Sequence, residues 1–153
     1  MNNKAIHNNS LSEEANRMLA QWIEARQDLE GRKEQLAGED MSNLKLMEAD
    51  FSNANLVGAD LSSTYLIRAN LENANLSEAD LSNAVFAEAN LRGADFNEAE
   101  MEGAWLNGAD LSGVLNLTCD QVLDANFDRE TQFPEYIRVA WSEDGKSTVT
   151  RAG

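Results

Sequence analysis

Residues 69–88 read ANLENANLSEADLSNAVFAE, and this stretch decides the fold because its unit of Ala, then Asp or Asn, then Leu recurs every five residues. The period holds without insertion or deletion from Leu44 to Leu111, with an apolar residue at the centre of each of fourteen units, from Leu46, Phe51 and Leu56 to Leu106 and Leu111. Ala stands two residues before twelve of these centres, Leu44 and Thr64 being the exceptions. A period of five suits no regular element. On a helix it turns the apolar position by about 140° per step, and on a flat strand it changes face each time. The chain must therefore turn corners: Ala and Leu face inward from one short extended side, and the two residues after Leu make the bend. The expected fold is an all-β solenoid.

The number of sides per coil follows from the residue before each centre, which is Asp, Asn or Glu at ten of the fourteen units. The exceptions, Lys45, Tyr65, Val85 and Trp105, lie twenty residues apart. Four sides of five residues then make one coil, and about four coils span residues 39–116. At the same spacing Asp40, Asp60, Asp80 and Glu100 stack on another side, with neighbouring coils about 4.8 Å apart.

The run resembles the pentapeptide-repeat proteins, and the resemblance covers about half of the chain. It implies a quadrilateral, right-handed β-helix, the handedness coming from the family alone. It also implies a function class, since some members act as DNA mimics that bind bacterial DNA gyrase and protect it from quinolones.

Charge limits the partners. The chain carries a formal −15, and between Glu39 and Ser112 fourteen acidic residues face three basic ones, Lys45, Arg68 and Arg92, a net −11. Such a field repels nucleic acid, so direct DNA or RNA binding is not expected, whereas a basic protein surface would be attracted. Cys119 is the single cysteine, which fits a reducing compartment. No run of eighteen apolar residues occurs and the first ten residues are polar, so the expectation is a cytoplasmic protein with no membrane partner.

Outside the repeat, residues 1–10 are expected to form a disordered tail. Ser10 and Glu13 read as a capping box for an amphipathic helix over residues 11–37, whose apolar stripe includes Leu11, Met18, Leu19, Trp22, Ile23 and Leu29. Its spacing is heptad-like, but Arg32 interrupts it after barely three heptads, and the alternative to a coiled coil is a face laid over the first coil, covering Met41, Leu44 and Leu46. On that reading Trp22 packs rather than binds. Thr118 and Gln121 read as a second capping box opening a short helix within a C-terminal cap, residues 117–141, followed by a loose tail, residues 142–153.

Little suggests catalysis or a cofactor. Residues 140–147, AWSEDGKS, match a relaxed P-loop, but a phosphate cradle needs a strand before it and a helix after it, and too few residues follow Ser147. His7 is the single histidine, so triads and histidine metal sites are not expected. The acidic ladder of Asp40, Asp60, Asp80 and Glu100 spreads its oxygens along a flat face rather than converging them on a cation. Most informative is the side bearing Tyr65, Val85 and Trp105 before the centres and Met47, Ile67 and Ala87 after them. These point outward as an apolar patch, covered either by the terminal segments or by another molecule, including a second copy. The expected function is a non-enzymatic protein-binding module or scaffold, with a DNA-mimic modulator of gyrase or another DNA-binding protein as the alternative.

Overall fold

The computed structural model describes the backbone from residue 4 to residue 153 and side chains from Ser12 onward. Its elements are helix α1 (Lys4–Gly31), a short 3-10 helix (Lys33–Gln35), the solenoid, helix α2 (Cys119–Asp124) and strands β1 (Ile137–Trp141) and β2 (Ser147–Arg151). No helix among the described residues is long and apolar enough to cross a membrane.

Each five-residue unit pairs most of its backbone through its own corner and with the coils on either side. The unit centred on Leu76 is representative. Leu76 donates its N–H to Asp95 O on the next coil (2.9 Å), Ala79 donates back to Leu76 O to close the corner (3.1 Å), and Glu78 donates to Asn97 O (2.8 Å). Asn75 donates to Ala54 O on the preceding coil (2.9 Å). The corner residue two after each centre adopts positive φ, 60° at Glu78 and 54° at Arg68, as a type II-like turn requires. A non-glycine residue there costs about 1 kcal/mol, offset by the inter-coil hydrogen bond that its N–H gains. At two glycine corners a Cβ would meet a side chain of the coil below, Asn73 Oδ1 under Gly93 and Asn83 Oδ1 under Gly103, so a larger residue there would have to displace that amide.

The remaining N–H of the unit, one residue after the centre, explains the polar residue before it. Asn75 Oδ1 accepts from Ser77 N (3.0 Å), Asp60 Oδ1 from Ser62 N (2.9 Å) and Asp110 Oδ1 from Ser112 N (2.9 Å). Asp and Asn therefore recur as local corner caps, the Asx-turn role of these side chains. Parallel bridges join units twenty residues apart in four ladders, through Asp40–Asp60–Asp80–Glu100, Lys45–Tyr65–Val85–Trp105, Asp50–Asn70–Asn90–Asp110 and Asn55–Asn75–Asp95–Leu115. Inside, the Leu, Phe and Ala positions are fully buried. Thr64, the one non-Ala residue of the inner Ala positions from Ala49 onward, is buried with its hydroxyl donating to Met41 O (2.7 Å).

The ends are closed by chain that imitates a further coil. At the N-terminal end the 3-10 segment and the residues after it do this: Asn55 N donates to Lys33 O (2.9 Å), Gly38 N to Val57 O (2.9 Å), and Leu36 is buried beneath them with Leu29. At the other end Gln121, held by its capping box with Thr118, donates Nε2 to Phe96 O and Ala99 O (2.9 Å each). Asn126 and Gln132 extend two ladders by bridging to Trp105 and Asp110. The Tyr136 hydroxyl donates to Val114 O (2.9 Å) and accepts from Leu117 N (3.2 Å).

Three expectations at the termini are corrected. The predicted tail of residues 1–10 is largely helical: α1 begins at Lys4, so Ser10 lies within the helix and cannot cap its start, while residues 1–3 lie outside the described residues. The helix ends at Gly31 rather than near residue 37, because Gly31 weakens it and the chain must bend to lay its carbonyls on the first coil. The predicted loose tail, residues 142–153, holds the second strand of an antiparallel hairpin in register Trp141↔Ser147 to Ile137↔Arg151. Alternating Ile137, Val139 and Trp141, followed by Asp144-Gly145 and then Val149, carry that hairpin. Trp141 packs edge-on against Phe127 (5.8 Å) with Arg129 over its ring (5.1 Å).

Candidate interaction surface

Lys45, Tyr65, Val85 and Trp105 form one continuous ladder. None of the four carries an oxygen where Asp or Asn would hold one, so the N–H groups of Met47, Ile67, Ala87 and Asn107 lack the corner cap found on the other sides. This side gives up a local hydrogen bond at each coil and gains apolar surface. Tyr65 is 38% exposed and Trp105 48% exposed, with Val85, Met47, Ile67 and Ala87 half-buried between them. Lys45 Nζ sits 3.1 Å from the centre of the Tyr65 ring, a cation–π contact.

Helix α1 adds a second wall. Leu19, Trp22, Ile23 and Arg26 face Met47, Ile67 and Arg68 across an open groove of about 350 Å³ that runs into the ladder. Arg26 anchors the helix by donating Nη1 to Met47 O (3.0 Å), and Glu30 accepts from Asp50 N (2.8 Å). Glu48 and Arg68 pair at the rim (3.0 Å). Only the last turns of the helix lie on the first coil, through Arg26, Leu29 and Glu30, rather than its whole apolar face as expected. Leu29 and Leu36 are buried in the same core as Met41 and Leu46, while residues 12–24 are exposed throughout, including Met18, Leu19, Trp22 and Ile23. Trp22 is thus a groove wall, not a capping residue. Its stripe was legible in the sequence, but which half of the helix would be buried was not.

The acidic residues Asp40, Asp60, Asp80 and Glu100 stack as expected from their spacing. Asp40 and Asp60 each accept both the N–H and the hydroxyl of the following serine, Ser42 and Ser62. The Ser42 hydroxyl and then its N–H hold the Asp40 carboxyl below the usual carboxylate range. These oxygens serve the corners, and among the described residues no three His, Cys, Asp or Glu side chains come together as a metal-binding group. Residues 140–147 hold the turn of the hairpin, with a strand and not a helix after it. Cys119 is a partly exposed free thiol at the start of α2, and the side chain of His7 lies outside the described side chains.

A column of apolar side chains wrapped by four ladders of five-residue sides defines a β-solenoid. A family profile for pentapeptide repeats (eight copies) matches residues 45–83 and 74–113. The chain belongs to the pentapeptide-repeat family. Among solved structures it is similar to the pentapeptide repeat protein Rfr23 from the cyanobacterium Cyanothece 51142, with 39% identity, 59% of this chain and 64% of that chain covered, and a TM-score of 0.33. A pentapeptide repeat protein from Nostoc PCC 7120 shares 31% identity over 76% of this chain and 84% of that chain, with a TM-score of 0.35. QnrB1, a plasmid-mediated fluoroquinolone resistance protein, shares 20% identity over 60% of this chain and 55% of that chain, with a TM-score of 0.42. No curated protein shows a significant match to the sequence.

Proposed function

We propose that the protein is a non-enzymatic protein-binding module, a right-handed four-sided β-helix of about four coils that offers one apolar side and several acidic sides to a protein partner in the cytoplasm. The observation that carries this reading is the exposure of Tyr65 and Trp105 on the one ladder that forgoes its polar corner caps. Leaving both rings in water forgoes several kcal/mol of burial at about 25 cal/mol per Å². A partner with an apolar surface recovers it. Catalysis has no evident seat, because the interior is filled by Leu, Phe and Ala and the corner carboxylates are engaged with backbone N–H groups. The test is the double variant Val85→Asp with Trp105→Asn. It should abolish complex formation with the melt almost unchanged, whereas a strong loss of stability in a chain that binds nothing would show the strip to be internal packing.

The net −11 of the repeat region supports a second reading, a DNA-mimic modulator of gyrase or another protein with a basic DNA-binding groove. The rod is short for that role: about four coils give near 19 Å, roughly five or six base pairs. We expect no inhibition in a gyrase supercoiling assay. Inhibition at sub-micromolar protein, relieved by salt, would reverse the order of the two readings.

A further inference from the structure

We infer that the partner of the apolar side is a second copy of this chain, with the exposed part of each α1 lying along the groove and ladder of the other. The inference rests on the binding-face reading above and names its occupant. Three features of the surface point to self-association.

The first is the helix. Residues 13–24 are exposed throughout, and a helical segment with so little buried surface is marginal in water, where tertiary contacts supply most helix stability. A partner covering the ladder alone would leave this stripe wet. A second copy covers both, because the stripe of one chain meets the ladder of the other twice over under two-fold symmetry.

The second is size. Exposures of 37–51% at Met18, Leu19, Trp22, Ile23, Tyr65 and Trp105 leave on the order of 500 Å² of apolar side chain uncovered on one chain. Two copies burying it mutually remove on the order of 1,000 Å² before the polar rim is counted, which enters the range of a specific interface.

The third is charge. Two chains of −15 repel at most approaches. The groove and ladder are the exception: Arg26, Lys45 and Arg68 stand there against Glu48 and Glu88, the corner acids of the same side, so this face alone is not net acidic. The exposed α1 segment has the opposite balance, with Glu13, Glu14 and Glu24 against Arg17. The helix of one copy therefore complements the groove of the other, and the rim charges set the orientation.

Light scattering on the full chain across concentration tests this. The parent should weigh twice the chain mass at tens of micromolar. A helix variant, Leu19→Glu with Ile23→Glu, and a ladder variant, Val85→Asp with Trp105→Asn, should each be monomeric, with association weakened about 100-fold or more and a cooperative melt retained. Mixing the two variants is the decisive arm. A reciprocal dimer keeps one intact helix-and-ladder pair in the mixed species, so dimer should reappear at a concentration above that needed by the parent. A mixture that stays monomeric, or a helix variant that dimerises like the parent, overturns the arrangement. If the parent itself is monomeric to about 100 micromolar, self-association fails. A photocrosslinker at Val85 then separates the two levels: an adduct with another protein leaves the binding face standing without the dimer, and no adduct ends both.

Discussion

Replacing Leu76 tests whether the repeat centres form one rigid column. Leu76 is fully buried, and the centres twenty residues away, Leu56 and Phe96, are buried equally. Leu76→Ala removes three heavy atoms from a site that cannot collapse, because the coils on either side are pinned by Leu76 N to Asp95 O and Leu56 N to Asn75 O, both 2.9 Å. Core Leu→Ala changes cost about 2.7–5 kcal/mol, more where the cavity persists, so the expected loss is about 3–5 kcal/mol. Leu76→Asp adds the burial of a carboxylate among Leu, Phe and Ala with no cation or spare donor, a further several kcal/mol. The sum approaches the whole stability of a domain, about 5–15 kcal/mol. Ser77→Ala, one residue on, removes a partly exposed hydroxyl bonded to Asn75 Oδ1 (2.6 Å) and should change stability by no more than about 0.5 kcal/mol. Urea titrations and thermal melts followed by far-ultraviolet circular dichroism should rank Ser77→Ala beside the parent, Leu76→Ala well below it, and Leu76→Asp without a cooperative transition. A cooperative melt with β-type dichroism in Leu76→Asp would refute the inward assignment of the centres.

Thr64→Val keeps the shape at that buried position but removes the donor to Met41 O, and should lower stability by about 1–2 kcal/mol in urea titration. Tyr136→Phe leaves Leu117 N and Val114 O without the hydroxyl they share, so residues 117–136 should show faster amide hydrogen exchange while the central coils hold their protection. Acid should loosen the corners. The carboxyls of Asp40 and Asp50 are held low by the hydroxyl and N–H of Ser42 and Ser52, so their contribution is complete above the unfolded carboxylate pKa of about 4 and is lost as pH falls through the lower folded values. Melting temperature should therefore fall on acidification below about pH 4, and Asp40→Asn should flatten that fall, since Asn70 and Asn90 show that an amide accepts the same corner N–H. An unchanged acid slope in Asp40→Asn would remove that carboxyl from the linkage.

The repeat alone determined the solenoid, its inward Leu and Ala, and the stacking of Tyr65, Val85 and Trp105, because each five-residue side pairs most of its backbone through its local turn and a partner one coil away. A periodic sequence therefore carries its own register, and even the four departures from Asp, Asn or Glu fall on one ladder without any knowledge of coordinates. The reason for the polar residue, the Asx corner cap, came only from the geometry, as did the engagement of the acidic ladder with serine N–H groups. The termini were decided tertiarily. Nothing in the stripe of α1 says that Leu29 goes into the core while Leu19, Trp22 and Ile23 stay out, since both halves have the same periodicity and only the first coil's open edge chooses between them. The hairpin of residues 137–151 had its local signal in Asp144-Gly145, yet two short strands are marginal by themselves, and it is Phe127, itself edge-on to Phe133, that gives Trp141 a surface to pack on.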